Sequence, residues 1–187
     1  MSLQEKSMTI IEMLSSVEDP RSKYGRRHSL ENMLIMCIMA MMSGYNGYRE
    51  IGRFLKKHQK EIRQSLCFYH QVPSYVTIRD VMQRIDFDKL SKSFNRWAEQ
   101  YVPMCKGDTK SVDGKAIGGT VSNCFSSYQN FTSLVSVFAS QRGIVLSCSK
   151  NENKKSSEIP TVRQLIETLD VKGDIFTMDA IHCQKKH

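Results

Sequence analysis

The period of the apolar residues changes once along this chain, at Pro103 and Gly107, and that change limits which folds are open to it. Before the break, apolar side chains recur at the spacing of an amphipathic helix. After it, β-branched and aromatic residues fill short runs closed by turn formers, as strands do. The pattern predicts an α+β protein, with an all-α domain over residues 1–103 and an α/β domain over residues 104–187. A length of 187 residues accommodates one domain or two small ones.

In MTIIEMLSSVEDP the helical stripe is Ile10, Ile11, Leu14 and Val17, closed by Pro20. SLENMLIMCIMAMMSG offers Ser29 as an N-cap and Gly44 as the residue that ends the helix. YREIGRFLKKHQKEIRQSL predicts a basic helix or helix pair with Ile51, Phe54 and Leu55 inward. PSYVTIRDVMQRID starts a helix after Pro73, with Ile78, Val81, Met82 and Ile85 on one stripe. DKLSKSFNRWAEQYV repeats the pattern with Leu90, Phe94, Trp97 and Tyr101.

In the second half, TKSVDGKAIGG reads as a strand, and NFTSLVSVFAS and IVLSCSK read as a hairpin turning at QRG. IPTVRQLIETLD is a helix with Val162, Leu165, Ile166 and Leu169 inward, Ser157 as its cap and Pro160 in its first turn. DIFTMDA is the last strand. The expected order is strand, strand, strand, helix, strand.

Charge narrows the partners. The formal net charge is +8 and the pI about 9.2, which favours an anionic partner, nucleic acid being the commonest. Arg21, Lys23, Arg26, Arg27 and His28 fall together in DPRSKYGRRH, as phosphate contacts or as a solvated basic loop. PSYVTIRDVMQR is either a recognition helix with Arg79 and Arg84 outward or, more simply, a packing helix.

The cysteines at 37, 67, 105, 124, 148 and 183 form no CxxC pair, which argues against a zinc ribbon and a secreted disulfide framework. Free thiols in a reducing cytoplasm fit that spacing. His182, Cys183 and His187 in the tail lack a second ligand cluster and read as incidental. The run LIMCIMAMM is too short for a bilayer, which needs about twenty residues, and lies too deep for a signal peptide. The expectation is a protein with no membrane partner.

Two carboxylates stand out by position: Asp113 near the end of the first strand and Asp179 at the end of the last. An isolated strand-end Asp is ordinarily a turn residue. A strand pair that delivers two acids to one sheet end, however, makes a site for a hard cation such as Mg²⁺. Two such ions about 4 Å apart activate the attacking oxygen and stabilise the leaving one in phosphodiester chemistry.

The stretches SVDGKAIGG, KKSSEIPTVRQLIETLDVKGDIFTMDAIHCQ and EDPRSKYGRRHSLENMLIMCIMAMMSGYNGYREIGRF resemble the DDE transposases of bacterial insertion sequences, in the group containing the H-repeat-associated proteins. The resemblance runs over almost the whole chain. It implies a helical domain followed by a partial ribonuclease H-like catalytic domain, the family's last helix, strand and helix and its third acid lying beyond His187. It places the first acid on Asp113, the second on Asp179, and the lysine-and-glutamate motif on Lys155, Ser156 and Glu158. Two Mg²⁺ or Mn²⁺ ions are implied. Glu158 is then a third metal ligand or, read locally, a favourable charge at a helix N-terminus. Lys115 and Lys155 would neutralise phosphates, and Arg21, Lys23, Arg26 and Arg27 would contact the DNA backbone. The chain departs from the family at Gly118, where an arginine is common, and at Ser157, where an asparagine is.

Two functions are expected from this. One is transposition: metal-dependent cleavage at the element's ends, then attack of the freed 3′-hydroxyl on target DNA. The other is a catalytically inactive truncated transposase that binds DNA or the intact enzyme. Either would have DNA and a second transposase chain as partners.

Overall fold

A computed structural model of the chain describes residues 7–122, 130–152, 158–169 and 173–179. Helices come first: α1 Ile10–Ser15, α2 Leu30–Met42, α3 Tyr48–Lys57, α4 Gln59–Ser65, α5 Tyr75–Arg84 and α6 Phe87–Glu99. A 3-10 turn at Pro103–Cys105 leads into β1 Thr109–Ser122, β2 Asn130–Ala139 and β3 Ile144–Glu152, then α7 Glu158–Thr168 and β4 Ile175–Met178. Helices followed by strand, strand, strand, helix, strand is the order that the period change predicts. The chain divides into two compact units, Met8–Ser93 and one that begins at Phe94.

Within the helical unit, local capping sets the phase of α1. Thr9 accepts from the Glu12 N–H at 3.2 Å while the Glu12 carboxylate accepts from the Thr9 N–H at 2.7 Å. The stripe that results is Met13, Leu14 and Val17, all buried, whereas Ile10 and Ile11 are 42% and 51% exposed. The expected stripe is therefore corrected: a helix of six residues buries barely one turn, and the cap decides which. α2 starts at Ser29, whose hydroxyl accepts from the Asn32 N–H at 3.1 Å, and it buries Leu34, Met36, Cys37 and Ala40. Burial pushes the Cys37 thiol up to about 11, so it serves as a packing group rather than a nucleophile.

α3 and α4 are a helix pair that breaks at His58. α3 packs against the first turn of α5 at Gly52, where an added Cβ would lie 2.9 Å from the Tyr75 Cβ. That close approach needs the glycine. Among the described residues, no helix is long and apolar enough to cross a membrane.

The other unit is built on a four-stranded mixed sheet ordered β3-β2-β1-β4. β1 runs antiparallel to β2 and parallel to β4, and β2 and β3 form the hairpin. α7 covers one face, setting Val162, Leu165 and Leu169 against Val112, Val135, Val137, Ala139 and Leu146. Alternation along β1 turns Lys110, Val112 and Gly114 to that covered face and Ser111, Asp113 and Lys115 to the other.

The division between units falls inside α6, before the Pro103–Gly107 break. The reason lies in the last turns of α6. Trp97 packs tilted against Phe94 and edge-on against Tyr101, at centroid distances of 5.7 and 5.2 Å. Asn95 grips the outer edge of β3: its amide donates to the Cys148 carbonyl at 3.0 Å and its oxygen accepts from the Cys148 N–H at 2.9 Å. The side chain thus imitates a neighbouring strand on an edge that would otherwise recruit one. Asn95→Ala should lower the stability of this unit by about 1–3 kcal/mol, because both bonds are lost and the edge groups are left unpaired. Urea unfolding followed by the fluorescence of Trp97, the single tryptophan, measures it. An unchanged midpoint would show that water replaces the clamp without cost.

Candidate functional site

The acids come first. Val112 and Met178 are the last registered partners of the parallel β1–β4 ladder, and Asp113 and Asp179 are the residues that follow them. Adjacent strands lie about 4.8 Å apart, so the two backbones present these acids side by side. Both are exposed. Two residues back, Ser111 and Thr177 have their hydroxyls 3.0 Å apart on the open face, and Ser111 also meets the Ser140 hydroxyl at 3.0 Å. Asp113 therefore continues a polar row on the face that α7 leaves open, and Asp179 follows the strand that borders it.

A buried ion pair sets this register. Lys110, the second residue of β1, has its side chain 0% exposed, and its Nζ lies 2.6 Å from the carboxylate of Asp174, itself 1% exposed. Nζ also donates to the Cys105 carbonyl at 2.9 Å, and the other Asp174 oxygen accepts from the Gly107 N–H at 2.6 Å. The hydrogen bond from Lys110 holds the Asp174 carboxyl below its ordinary range against the opposing effect of burial, with Gly107 and the charge of Lys106 adding. Every strong group in the pair is satisfied, as a buried charge requires. Asp174 directly precedes β4, so the pair locks that strand to β1 at the position that brings Asp179 beside Asp113. The sequence reading missed it. A lysine in a polar strand carries no mark of burial, and its partner lies 64 residues away.

Glu158 approaches from the other side. It opens α7, and a Cβ built on Gly114 would meet its carboxylate at 2.5 Å. Glu158 thus lies against the residue after Asp113, on the covered face, while Asp113 points to the open one. Asp113 lies on the open face of β1 and Asp179 directly follows β4; the Glu158 carboxylate meets the sheet from the face opposite Asp113. Among the described residues, no group of three or more His, Cys, Asp or Glu is arranged to hold a metal ion. Gly114→Ala should push the Glu158 side chain aside and cost roughly 1 kcal/mol. In a Glu158→Ala background the same change should be neutral or stabilising, since alanine also lowers the entropy of the unfolded chain. Equal effects in both backgrounds would show that Glu158 is not what fills that space.

Lys115 is exposed on the same face as Asp113. Lys155, Ser156 and Ser157 lie outside the described residues, as do Cys183 and the rest of the tail.

The basic loop of the helical unit is ordered by its own charges. Arg21 grips Asp19 with two nitrogens, at 2.9 and 2.7 Å, and donates to the His28 carbonyl at 2.9 Å. Arg26 pairs with the same carboxylate at 3.2 Å and donates to the Ser22 and Arg21 carbonyls. Burial alone would raise the Asp19 carboxyl, but the hydrogen bonds and charge of Arg21, with Arg26, hold it below its ordinary value. Arg21 and Arg26 are thus partly spent on folding the loop. Lys23 and Arg27 are exposed. Between this loop and the residues leading into α5 lies an open cleft of about 760 Å³, whose lining includes Arg27, His28, His70 and Ser74. His70 carried no sequence signal, because only the fold brings it to the loop.

Residues 11–98 match a family model described as DDE_Tnp_1-associated. The chain is 30% identical over 176 residues to a protein of Escherichia coli named "H repeat-associated putative transposase YbfD", covering 94% of this chain and 68% of that one. It is 28% identical over 176 residues to YhhI of the same organism, with a name of the same form, covering 94% of this chain and 46% of that one. A protein of Xanthobacter autotrophicus from the dhlA 3′ region is 24% identical over 177 residues, covering 90% of this chain and 57% of that one. The chain thus spans about two thirds of YbfD and about half of YhhI. No solved structure matches it with significance.

Proposed function

The chain belongs to the family of H repeat-associated transposases, and from that premise we propose that it binds DNA through its helical unit and contributes Asp113 and Asp179 to a metal-dependent transposition site. One observation carries the reading: the two acids that the family resemblance singles out directly follow the last registered pair of two parallel neighbouring strands, and both are exposed. The strand order β3-β2-β1-β4, a hairpin beside a parallel fourth strand, supports a ribonuclease H-like reading of the sheet.

The donors fit Mg²⁺ or Mn²⁺. Carboxylate oxygens are hard ligands, and Mg²⁺ is commonly held by one or two of them with water and substrate phosphates completing the shell. When bound, such ions supply charge neutralisation and an activated oxygen nucleophile for phosphodiester chemistry. The chain's own residues do the rest. Asp113 and Asp179 present anionic oxygens from a register held by Lys110 and Asp174, and Lys115 adds positive charge on the same face. Glu158 is the candidate third ligand, reached only if its carboxylate leaves the covered face beside Gly114.

DNA binding is the half that can be tested without cleavage. Lys23→Ala and Arg27→Ala should each weaken binding to duplexes of any sequence and reduce the salt slope by about 1. Arg21→Ala should instead destabilise the loop, because it leaves Asp19 with only Arg26 and the backbone N–H of residue 21. An unchanged salt slope in the Lys23 and Arg27 variants would remove this loop from the interface. Nicking in Mg²⁺ of a plasmid bearing the element's ends separates the two functions: binding with cleavage supports the enzyme, and binding without it supports the DNA-binding fragment.

A further inference from the structure

We propose that the exposed face of α3, with Arg49, Arg53 and Lys56 in one row, lies along the phosphate backbone of duplex DNA. This rests on the DNA-binding reading above and adds a second surface to it, since Arg21 and Arg26 of the basic loop are partly spent on Asp19.

Positions 49, 53 and 56 fall on one side of a helix, and the buried Ile51 and Leu55 fall on the opposite side. All three cations are exposed, as are Lys57 and, on α4, Lys60. The segment from Tyr48 to Ser65 holds six lysines and arginines against two glutamates, a net charge of +4. The whole helical unit, Met8–Ser93, holds fourteen against nine, a net of +5. Its positive excess is thus concentrated on these two helices. Neither glutamate answers the row. The Glu50 carboxylate turns to the start of α3, where it accepts from the Gly47 N–H at 3.2 Å, and Glu61 lines a separate hollow with Tyr45 and Phe54. Among the described residues, no ion pair engages any of these five cations.

Helix stability does not account for this arrangement. Lys56 and Lys57, in the last turn, suit the negative end of the helix dipole. Arg49, in the first turn, opposes the positive end. Arg49 with Arg53, and Arg53 with Lys57, are like charges four residues apart, a spacing at which they repel. An anion lying along the row removes that repulsion, and a polyanion does so at several positions at once.

The surroundings suit a backbone. Beside the row runs an open groove of about 370 Å³, walled on its other side by residues 71–75 and with no acid in its lining. Arg49 lies over the Tyr75 ring, 5.9 Å from its centroid. The ring holds the guanidinium by its face and leaves the N–H edge to meet a phosphate. Gln71, Val72, Pro73 and Ser74 border this groove and also the cleft of the basic loop, whose lining is likewise free of acids. The loop and the α3 row thus flank one neutral segment. From Arg49 to Lys56 the helix rises about 10 Å, which matches the rise of about three nucleotides of one strand.

The test is the salt dependence of binding of the whole chain to a short duplex of arbitrary sequence, followed by fluorescence anisotropy. Arg53→Gln with Lys56→Gln should reduce the salt slope by about 2 and weaken binding on the order of tenfold to a hundredfold. Glutamine is a good helix former, and both positions are exposed, so the circular dichroism of the helices should not change. Arg84→Gln with Lys92→Gln removes the same charge from exposed positions outside the groove, and should leave the slope nearly unchanged. Equal losses in the two pairs would mean that net charge alone drives binding, and would overturn the surface. Arg49→Lys with Arg53→Lys keeps the charge and should keep the slope. A loss there would point to arginine reading base edges, and would overturn the backbone assignment. Duplex binding with an unchanged slope in the Arg53 and Lys56 variant overturns the surface and leaves the DNA-binding reading standing. A wild-type chain that does not bind the duplex overturns both.

Discussion

Asp174→Ala should destabilise the sheet unit by about 3–5 kcal/mol, the usual cost of leaving one member of a buried ion pair without its partner. The abandoned group is Lys110, whose side chain is 0% exposed and would keep only the Cys105 carbonyl. The loss exceeds that of an exposed pair such as Lys89 with Glu18, because water screens charges that stay at the surface. Removing both members together, as Lys110→Met with Asp174→Leu, should recover most of the stability, since well-packed apolar groups often replace such pairs at little cost. Urea unfolding read on Trp97 compares the three proteins. If the single and double variants lost the same amount, desolvation of Lys110 would not be the cause.

The pH dependence has a definite sign. The Asp174 carboxyl is depressed in the folded state, so its contribution is complete above the ordinary unfolded value near about 3.9. It is lost as the pH falls through the lower, folded value. The gap between the wild type and Asp174→Asn should therefore be constant from neutral pH down to about 4 and close below it. A gap that closed near pH 6 would point to a different group.

Asp113→Asn and Asp179→Asn should each weaken Mn²⁺ binding by about a hundredfold, on the order of 2.8 kcal/mol, because each removes one of two adjacent anionic ligands. Calorimetric titration of the chain with Mn²⁺ measures this without any need for cleavage. Glu158→Gln should cost less, since its carboxylate meets the sheet from the covered face. Asp174→Asn connects the two predictions. It touches no metal in this scheme, yet it loosens the register that brings Asp179 beside Asp113, and should weaken Mn²⁺ binding in step with its loss of stability. Mn²⁺ affinity that survived both aspartate variants unchanged would move the metal site elsewhere.

What could be read from the residues was what local chemistry repeats. The change of period at Pro103, the cap at Ser29, the QRG hairpin and the strand, strand, strand, helix, strand order each depend on neighbours a few positions apart. So does the placement of Asp179 just after β4, which its flanking run reveals; Asp113, expected near a strand end, is instead the fifth residue of a β1 that runs on to Ser122, because pairing with β2 carries the strand past it. Tertiary structure decided what joins distant positions. It buried Lys110 with Asp174, turned Asn95 onto the edge of β3, rotated α1 so that Met13 replaced Ile10 and Ile11 in the core, and brought His70 to the basic loop. It also chose the face from which Glu158 meets β1, which no helix periodicity encodes. Periodicity tells which side of an element is apolar. Which partner that side meets, and which charge a neighbouring strand brings into reach, follows from register between segments tens of residues apart, and the local sequence carries no mark of it.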